Sequence, residues 1–330
     1  MAILRNQTGE VTISDKEFAD HVAQGLQKTP KQLSSKYFYD EIGDELFVQI
    51  TQLPEYYLTE AENEIFREQR DEILRSFNIN DHACDIIELG AGDGHKAAFL
   101  LEPLQKKGNV RFRPIDISQN TLNIVVDRFN REVPGIELAP MQGEYFDVLS
   151  HLKGDRRKIV LFLGSNIGNL NQGQATSFIK QLSQTLKPGD MILLGLDLIK
   201  SSEIILPAYN DSKGVTSRFN LNLLARINNE LGGNFDIISF EHLPEYDELE
   251  GEARSYLRSI KDQEVRIEAL GKSFHFEEGE LIHTEISRKY DKDRLLTIIA
   301  GSGLKLIKEF TDSRNLFTDF LLEKTHMSTD

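Results

Sequence analysis

The chain of 330 residues has no tryptophan and a single cysteine, Cys84. One cysteine excludes a disulfide within the chain, and because Cys84 begins an apolar stretch we expect it to be buried and inert. Positive charge is also scarce, since 38 Lys and Arg residues stand against 53 Asp and Glu, for a formal net charge of -15. A surface that binds phosphates needs clustered Lys and Arg, so this balance argues against nucleic acid as a partner.

Long apolar runs and clusters of metal-ligating residues are missing as well. The longest apolar stretches, 159–164 and 191–199, fall short of the roughly 18 residues that a membrane span needs. The first residues show no charged start leading into an apolar core, so no secretion signal is expected. The eight histidines are scattered, which indicates no metal site. We therefore predict a cytoplasmic monomer with neither a metal nor a membrane partner.

The most informative feature is the stretch 84–96, where an apolar strand ends and a loop follows with glycines at 90, 92 and 94. Glycines at a strand end let the backbone turn sharply and approach a ligand closely. A second strand is predicted over 110–117, with Asp116 at its tip, where a carboxylate suits ribose hydroxyls. The pattern predicts a nucleotide-like cofactor.

The spacing of these glycines narrows the choice of cofactor. Position 95 is His, so the dinucleotide pattern Gly-x-Gly-x-x-Gly is incomplete, and the chain has no phosphate-binding Gly-Lys-Ser/Thr. The acids Glu88 and Asp93 beside the turn would repel a pyrophosphate but suit a cationic cofactor without phosphate. S-adenosylmethionine meets that description. An ordinary tight turn between strand and helix is the alternative interpretation.

Strands and helices alternate from 86 to 196, including a strand predicted over 136–142, which is typical of a parallel sheet with crossover helices. After 197 the pattern changes to a helix and to strands at 254–260 and 265–267 with antiparallel patterning. A helix and two strands within 294–324 would complete the sheet. An N-terminal helix is predicted after Ser14, which forms a capping box with Glu17.

This pattern predicts two domains, in keeping with a chain above the usual single-domain length. A second lobe is expected at 15–60 and 197–286, and a core built on the parallel sheet at 61–196 and 287–325. The lobe contains five aromatic residues close together, which either pack a subdomain or line a pocket: Tyr37, Phe38, Tyr39, Tyr56 and Tyr57.

Six segments together resemble the histidine-specific S-adenosylmethionine-dependent methyltransferases of the ergothioneine pathway, which trimethylate the α-amine of L-histidine. The segments are Lys36-Tyr37-Phe38-Tyr39-Asp40, Leu53-Pro54-Glu55-Tyr56-Tyr57-Leu58-Thr59, Glu88-Leu89-Gly90-Ala91-Gly92, Ile115-Asp116-Ile117-Ser118, Phe162-Leu163-Gly164-Ser165-Asn166-Ile167-Gly168-Asn169-Leu170 and Thr284-Glu285-Ile286-Ser287. Each is modest alone, but their order and spacing together are specific.

The resemblance implies an α/β fold, a class I (Rossmann-like) methyltransferase sheet with a second α+β lobe, and S-adenosyl-L-methionine as cofactor. The cofactor residues that it implies are Tyr39, Gly90, Lys96, Asp116, Glu144 and Tyr145. The substrate residues are Tyr56, Gly164, Asn169, Tyr209, Glu285 and Ser287. Tyr39 and Asn169 are the residues expected at the site of methyl transfer.

Chemistry suits the implied cofactor roles. Asp116 is able to accept from both ribose hydroxyls, Lys96 to pair with the methionine carboxylate, and Tyr145 to lie against adenine. Each residue also has a simpler interpretation: Asp116 as a helix cap for Ser118 onward, and Lys96 as a solvated charge at a helix start.

Chemistry suits the implied substrate roles too. The amide of Asn169 is able to hold an amine and a carboxylate, and Tyr209 to donate to the same carboxylate. Glu285 and Ser287, two apart on a strand, share a face and suit the two nitrogens of an imidazole. A turn residue is the simpler interpretation of Asn169, and a surface ion pair with Arg288 or Lys289 that of Glu285.

The implied reaction is direct displacement by a neutral amine, repeated three times, with catalysis mostly by positioning and with Tyr39 beside the methylated nitrogen. One departure concerns Ser255, which falls where some family members have methionine. Two alternatives therefore stay open: a methyltransferase for another amino acid such as tryptophan, and a binding relative without catalytic activity.

Overall fold

The computed structural model describes residues 15–79, 83–150 and 154–326. These residues form two compact units. Unit 1 is the described part of Met1–Tyr57 with Lys200–Ser287, and unit 2 is that of Leu58–Ile199 with Arg288–Asp330. The roles predicted for the two parts of the chain stay predictions at this point.

The helices of the described residues are α1 (Lys16–Gly25), α2 (Glu41–Thr51), α3 (Tyr57–Ser76), α4 (His95–Leu101), α5 (Gln119–Glu132), α6 (Tyr145–Ser150), α7 (Gln172–Gln184), α8 (Ser202–Tyr209), α9 (Val215–Leu231) and α10 (Lys292–Ile299). Short 3-10 helices span Ser35–Phe38, Glu102–Leu104, Asn166–Asn169, Ile237–Ser239 and Glu268–Leu270. Ser14, predicted to cap the first helix, lies outside the described residues. The cap of α1 is Asp15, whose carboxylate accepts from the Phe18 N–H at 2.9 Å.

The strands are β1 (Lys31–Gln32), β2 (Cys84–Leu89), β3 (Val110–Asp116), β4 (Glu137–Leu138), β5 (Met141–Gln142), β6 (Arg157–Phe162), β7 (Met191–Asp197), β8 (Phe240–Asp247), β9 (Glu252–Ser259), β10 (Gln263–Ile267), β11 (Lys272–Phe276), β12 (Leu281–Arg288), β13 (Leu304–Thr311) and β14 (Phe317–Lys324). The single strand predicted over 136–142 is two short ones. Pro140 lies between them and has no N–H to donate to the ladder.

Unit 2 is built on one mixed sheet in the order β13-β14-β7-β6-β2-β3-β4, with β5 also paired to β3. The pairs from β7 to β4 are parallel, while β14 runs antiparallel to both β7 and β13. All residues of β2 and β7 are buried, as expected for strands covered by helices on both faces. The predicted α/β class and the two C-terminal strands that complete the sheet are confirmed.

The order in which the chain adds strands to this sheet reverses at β2. The next strand in sequence, β3, lies on one side of β2, and the later strands β6 and β7 lie on the other. Loops that follow strands at such a reversal leave a crevice at the carboxyl ends, where open α/β sheets bind ligands. The glycine loop at 90–94 follows β2 and therefore lies at this position.

Unit 1 holds a four-stranded sheet in the order β1-β12-β9-β8 and a separate hairpin of β10 and β11. The two stretches with antiparallel patterning are both in antiparallel pairs, but β9 pairs with β8 and β10 pairs with β11. Apolar residues of α9, among them Leu223, Leu224 and Ile227, pack with those of α1 and the strands in one core. Among the described helices of either unit, none is long and apolar enough to cross a membrane.

Candidate active site

The glycine loop of unit 2 brings two predicted cofactor residues together. Gly90 has a φ of +72°, and its N–H donates to the Ile115 carbonyl at 2.9 Å, so the loop is tied to β3. A Cβ added to Gly90 would lie 2.7 Å from the Tyr145 hydroxyl oxygen. Both the left-handed conformation and the lack of space therefore require glycine at position 90.

Asp116 ends β3 and faces the same loop. Its Oδ1 accepts from the Ser118 N–H at 2.9 Å. Burial raises the pKa of Asp116 above its ordinary value, although backbone hydrogen bonds, including those from Gly92 and Ala91, work in the opposite direction. The cap of α5 is Ser118, whose hydroxyl accepts from the Thr121 N–H, so Asp116 is not simply a helix cap.

Lys96 lies in the first turn of α4 and is not the solvated charge of the simpler interpretation. Its ammonium forms an ion pair with Glu62 of α3, whose side chain is only 1% exposed. Glu62 was not among the residues predicted from sequence. The other oxygen of Glu62 accepts from the Gly164 N–H at 2.8 Å. Desolvation lowers the pKa of Lys96, but the charge and hydrogen bond of the adjacent Glu62 carboxylate work in the opposite direction, and the pKa lies above its ordinary value.

A sequence signal for Glu62 does exist. In α3, Glu62 lies four residues after Leu58 and three and four residues before Ile65 and Phe66, all of which are buried. An acid on the apolar stripe of a helix needs a buried partner, because an unpaired buried charge is costly. The position of Glu62 on the buried face of this helix is therefore the signal that would have identified it.

Glu88 is buried at the end of β2, and its Oε2 finds no hydrogen-bond partner among the described residues. Burial raises the pKa of Glu88 to about 8, although the charge of Lys96 works in the opposite direction. Asp93 differs, since it is exposed and pairs with Arg128 at 3.0 Å. That both acids would repel a pyrophosphate stays a prediction.

Tyr145, Glu144 and Asn169 lie on segments that follow the parallel strands. The Tyr145 ring meets Phe162 and Phe178 edge-on, with centroids 6.1 and 6.3 Å apart, and burial raises the pKa of its hydroxyl. Glu144 is exposed immediately before α6, and Asn169 is exposed at the end of its 3-10 helix. Asn166 on the same short helix was not predicted, yet its Nδ2 would lie 3.5 Å from a Cβ at Gly90.

The aromatic residues of unit 1 divide between core and surface. Tyr37, Phe38 and Tyr57 are buried, whereas Tyr39 is 42% exposed and Tyr56 is half-buried. Phe47 joins the last two, since its ring meets Tyr39 and Tyr56 edge-on with centroids 5.5 and 6.4 Å apart. Some members of this group therefore pack the unit, while Tyr39 and Tyr56 leave part of their rings accessible.

The remaining predicted substrate residues of unit 1 lie on β12 and α8. Glu285 is half-buried, and its Oε2 accepts from the hydroxyl of buried Ser255 at 3.4 Å. Ser287, two residues further along β12, is buried, and so is Tyr209 at the end of α8. Lys289, one of the surface partners considered for Glu285, is itself fully buried and pairs with Asp197 at 2.8 Å.

The chain is similar to known proteins along most of its length. The model of the family "Histidine-specific methyltransferase, SAM-dependent" matches residues 18–324. The chain belongs to this family. Among its relatives, a histidine N-alpha-methyltransferase of Mycobacterium tuberculosis (strain CDC 1551 / Oshkosh) is 39% identical over 297 residues, which are 90% of this chain and 91% of that protein.

Two further relatives are a histidine N-alpha-methyltransferase and an ergothioneine biosynthesis protein. The first, of Mycolicibacterium smegmatis (strain ATCC 700084 / mc(2)155), is 37% identical over 88% of this chain and 90% of its own length. The second, "Ergothioneine biosynthesis protein 1" of Schizosaccharomyces pombe (strain 972 / ATCC 24843), is 30% identical over 92% of this chain but only 40% of its own length. The predicted family and cofactor are confirmed, and the protein is an S-adenosylmethionine-dependent methyltransferase.

The residues of the methyltransferase fit its cofactor. The absence of a side chain at Gly90 leaves room beside the Tyr145 hydroxyl, and the Asp116 carboxyl stands at the tip of the neighbouring strand. Lys96 supplies a cation, and Glu88 supplies a buried carboxyl at the end of β2. These features suit a ligand with ribose hydroxyls, a carboxylate and a positive charge.

Buried Cys84 has no part in this chemistry. It is 2% exposed at the start of β2, at the end of the strand opposite the glycine loop. Burial raises the pKa of its thiol to about 12. A thiol that stays protonated is neither a nucleophile nor a metal ligand, so Cys84 contributes to packing only.

Proposed function

We propose that this methyltransferase acts on the α-amine of L-histidine and adds three methyl groups, giving N,N,N-trimethylhistidine (hercynine) for ergothioneine biosynthesis. The observation that carries the substrate is the set of Glu285, Ser287 and Ser255 in unit 1. An acid with hydroxyl groups beside it suits an imidazole, which offers one N–H donor and one acceptor nitrogen. The names of the two bacterial relatives support the same substrate.

The cofactor residues are proposed to act as follows. Asp116 accepts from the ribose hydroxyls, Lys96 pairs with the amino-acid carboxylate, and Tyr145 lies against the adenine. Gly90 allows the backbone to approach, and Glu144 and Tyr39 complete the set. When bound, S-adenosylmethionine supplies a methyl group on a cationic sulfur.

The substrate residues hold the amino acid and need no strong base. Asn169, Gly164 and Tyr209 are proposed to orient the α-amine and the carboxylate, and Tyr56 to contact the substrate ring. An α-amine with an ordinary pKa of about 8 loses its proton readily near neutral pH. The Tyr39 ring face is available to stabilise a nitrogen that becomes cationic as methyl groups accumulate.

A product assay tests this proposal. The enzyme is incubated with S-adenosylmethionine and L-histidine, and the products are followed by mass spectrometry. We expect masses that correspond to one, two and three added methyl groups, with the third dominant at long times. L-histidine recovered unmodified, while tryptophan or another amino acid gains methyl groups, would assign a different substrate. No transfer to any amino acid would favour a binding protein.

We further propose that the enzyme is a cytoplasmic monomer. Its formal charge of -15 keeps identical molecules apart in solution, which supports a monomer. Light scattering coupled to size exclusion gives the mass directly, and the expected value is the 37.6 kDa of one chain. A mass of two chains across a range of concentrations would contradict it.

A further inference from the structure

Two buried carboxyl groups that were not predicted from sequence meet inside unit 2. Asp319 of β14 is fully buried and lies in register with Gly195 of β7. Glu62 of α3 is 1% exposed. A Cβ added to Gly195 would lie 2.6 Å from Glu62 Oε1 and 3.0 Å from Asp319 Oδ1. Both carboxyls therefore occupy the space that the missing side chain at Gly195 leaves.

The hydrogen-bond donors around this pair are unevenly distributed. Glu62 has two: the Lys96 ammonium on one oxygen and the Gly164 N–H on the other. Asp319 has none, since neither of its side-chain oxygens meets a donor among the described residues. A buried carboxylate without a donor or a counter-ion is costly.

A proton on one of the two acids removes that cost. Two adjacent buried carboxyls do not both ionise, because like charges repel strongly where water is excluded. Glu62 is the better anion, since Lys96 and the Gly164 N–H already stabilise its charge. The proton therefore belongs on Asp319, which then donates it to Glu62.

We propose that Asp319 is a positioning residue that acts as a neutral acid and, through its hydrogen bond to Glu62, holds Lys96 and the Gly164 loop in place. Glu62 contacts both Lys96, proposed for the cofactor, and Gly164, proposed for the substrate. Asp319 therefore supports both residues indirectly. Desolvation, together with the charge of Glu62, raises the pKa of Asp319 well above its ordinary value, in agreement with a bound proton. The inference rests on the proposed role of Lys96 toward the cofactor.

Two substitutions at this position separate hydrogen bonding from packing. Asp319→Asn keeps an N–H donor for Glu62, so we expect its affinity for S-adenosylhomocysteine to stay within about threefold of the wild type. Asp319→Leu keeps the branched shape of the side chain, although it is larger, and removes the donor. Because hydrogen bonds to charged groups are the stronger ones, its affinity should fall by about 10- to 100-fold.

The experiment combines calorimetric titration with S-adenosylhomocysteine and infrared spectroscopy of the ligand-free enzyme at neutral pH. We expect a carbonyl band of a protonated carboxylic acid that disappears in Asp319→Asn. Glu88→Gln is the matched control, because it removes the band of another buried acid and should leave the Asp319 band in place. Circular dichroism and thermal melting confirm that each variant is folded.

Two results would overturn the proposal. One is a wild-type spectrum with no band that Asp319→Asn removes; the other is an equal loss of affinity in Asp319→Asn and Asp319→Leu when both are folded. Neither measurement depends on the identity of the methyl acceptor. If histidine proves not to be the substrate while the band and the split in affinity are present, the proposed substrate is wrong and the role of Asp319 stands.

Discussion

At the scale of single residues, burial decides the chemistry of the acids in unit 2. Three acids lie on strands of its sheet: Asp116 at the end of β3, Glu88 near the end of β2 and Asp319 within β14. Desolvation raises the pKa of each. Glu62, by contrast, has a cation and a backbone N–H as partners. Acids within one unit thus differ in the partners that burial leaves them.

Asp116 leads to a prediction about pH and cofactor affinity. Ribose hydroxyls donate to the ionised carboxylate, so affinity for S-adenosylhomocysteine should fall as the pH drops through the raised pKa of Asp116. Asp116→Asn should lower the affinity by about 10- to 100-fold at neutral pH and abolish this acid-side dependence. Calorimetric titrations from neutral pH down to the ordinary carboxyl pKa of 3.8 measure both effects.

Asp93→Asn is the matched control for Asp116→Asn. Asp93 lies on the same glycine loop but is exposed and paired with Arg128. Its replacement should change the affinity less than about threefold and leave the dependence on pH as in the wild type. An Asp116→Asn variant with the wild-type pH dependence would show that another group titrates.

Glu88 leads to a prediction about stability. Its pKa is about 8 in the folded protein against an ordinary value of 4.5, so between these values the folded state holds a proton that the unfolded state has lost. The free energy of unfolding should therefore fall as the pH rises through this window. Glu88→Gln lacks this loss, so it should be more stable than the wild type at about pH 9 and similar to it at about pH 4.

Urea denaturation at several pH values measures the difference between Glu88→Gln and the wild type. Between pH 4.5 and about 8, the difference in unfolding free energy should grow by up to about 1.4 kcal/mol for each pH unit. Asp127→Asn, at an exposed position on α5, is the control and should follow the wild type at every pH. Parallel curves for Glu88→Gln and the wild type would mean that folding leaves the pKa of Glu88 unchanged.

At the scale of elements, a buried ion pair joins β7 to the segment that follows β12. Asp197 ends β7 and pairs with Lys289, and both side chains are fully buried. The backbone carries the same contact, because the Tyr290 N–H donates to the Asp197 carbonyl at 2.8 Å. These two contacts hold the start of the C-terminal segment of unit 2 against the end of β7.

Loss of this ion pair should be costly. Lys289→Met leaves the Asp197 carboxylate buried without its cation, and we expect the free energy of unfolding to fall by about 3 to 5 kcal/mol. Lys292→Met is the control, because Lys292 is exposed and its pair with Glu309 should contribute less than about 1 kcal/mol. Equal small losses in chemical denaturation would show that Asp197 is stabilised by other groups.

At the scale of the whole molecule, the proposed binding residues divide between the two units. Gly90, Lys96 and Asp116 belong to unit 2, whereas Tyr209 and Glu285 belong to unit 1. Gly164 and Asn169, both proposed for the substrate, belong to unit 2 as well. A substitution of Glu285, which is proposed for the substrate alone, should therefore affect the two ligands differently.

Glu285→Ala tests this division. We expect it to weaken L-histidine binding, measured by calorimetry with S-adenosylhomocysteine present, by about tenfold or more, because the imidazole loses a charged partner. Affinity for S-adenosylhomocysteine alone should change less than about twofold. Glu277→Ala, at an exposed acid just after β11, should leave both affinities unchanged. A similar loss for both ligands would indicate that Glu285 supports the fold.

Sequence by itself determined the features that depend on neighbouring residues. The glycine loop after β2, Asp116 at the tip of β3 and the alternation of strands and helices follow from local spacing and periodicity. The six family segments add the identity of the cofactor. The boundary at Pro140 was visible locally too, yet a single strand was predicted there.

Only the tertiary structure decided which buried groups meet and which of them keep a proton. Glu62, Lys96 and Asp319 are far apart in sequence and come together because the strand order places β14 beside β7 and the helices cover the sheet. Their protonation then depends on burial away from water and on the charged groups nearby. Local periodicity carries no information on either, because both arise from contacts between distant parts of the chain.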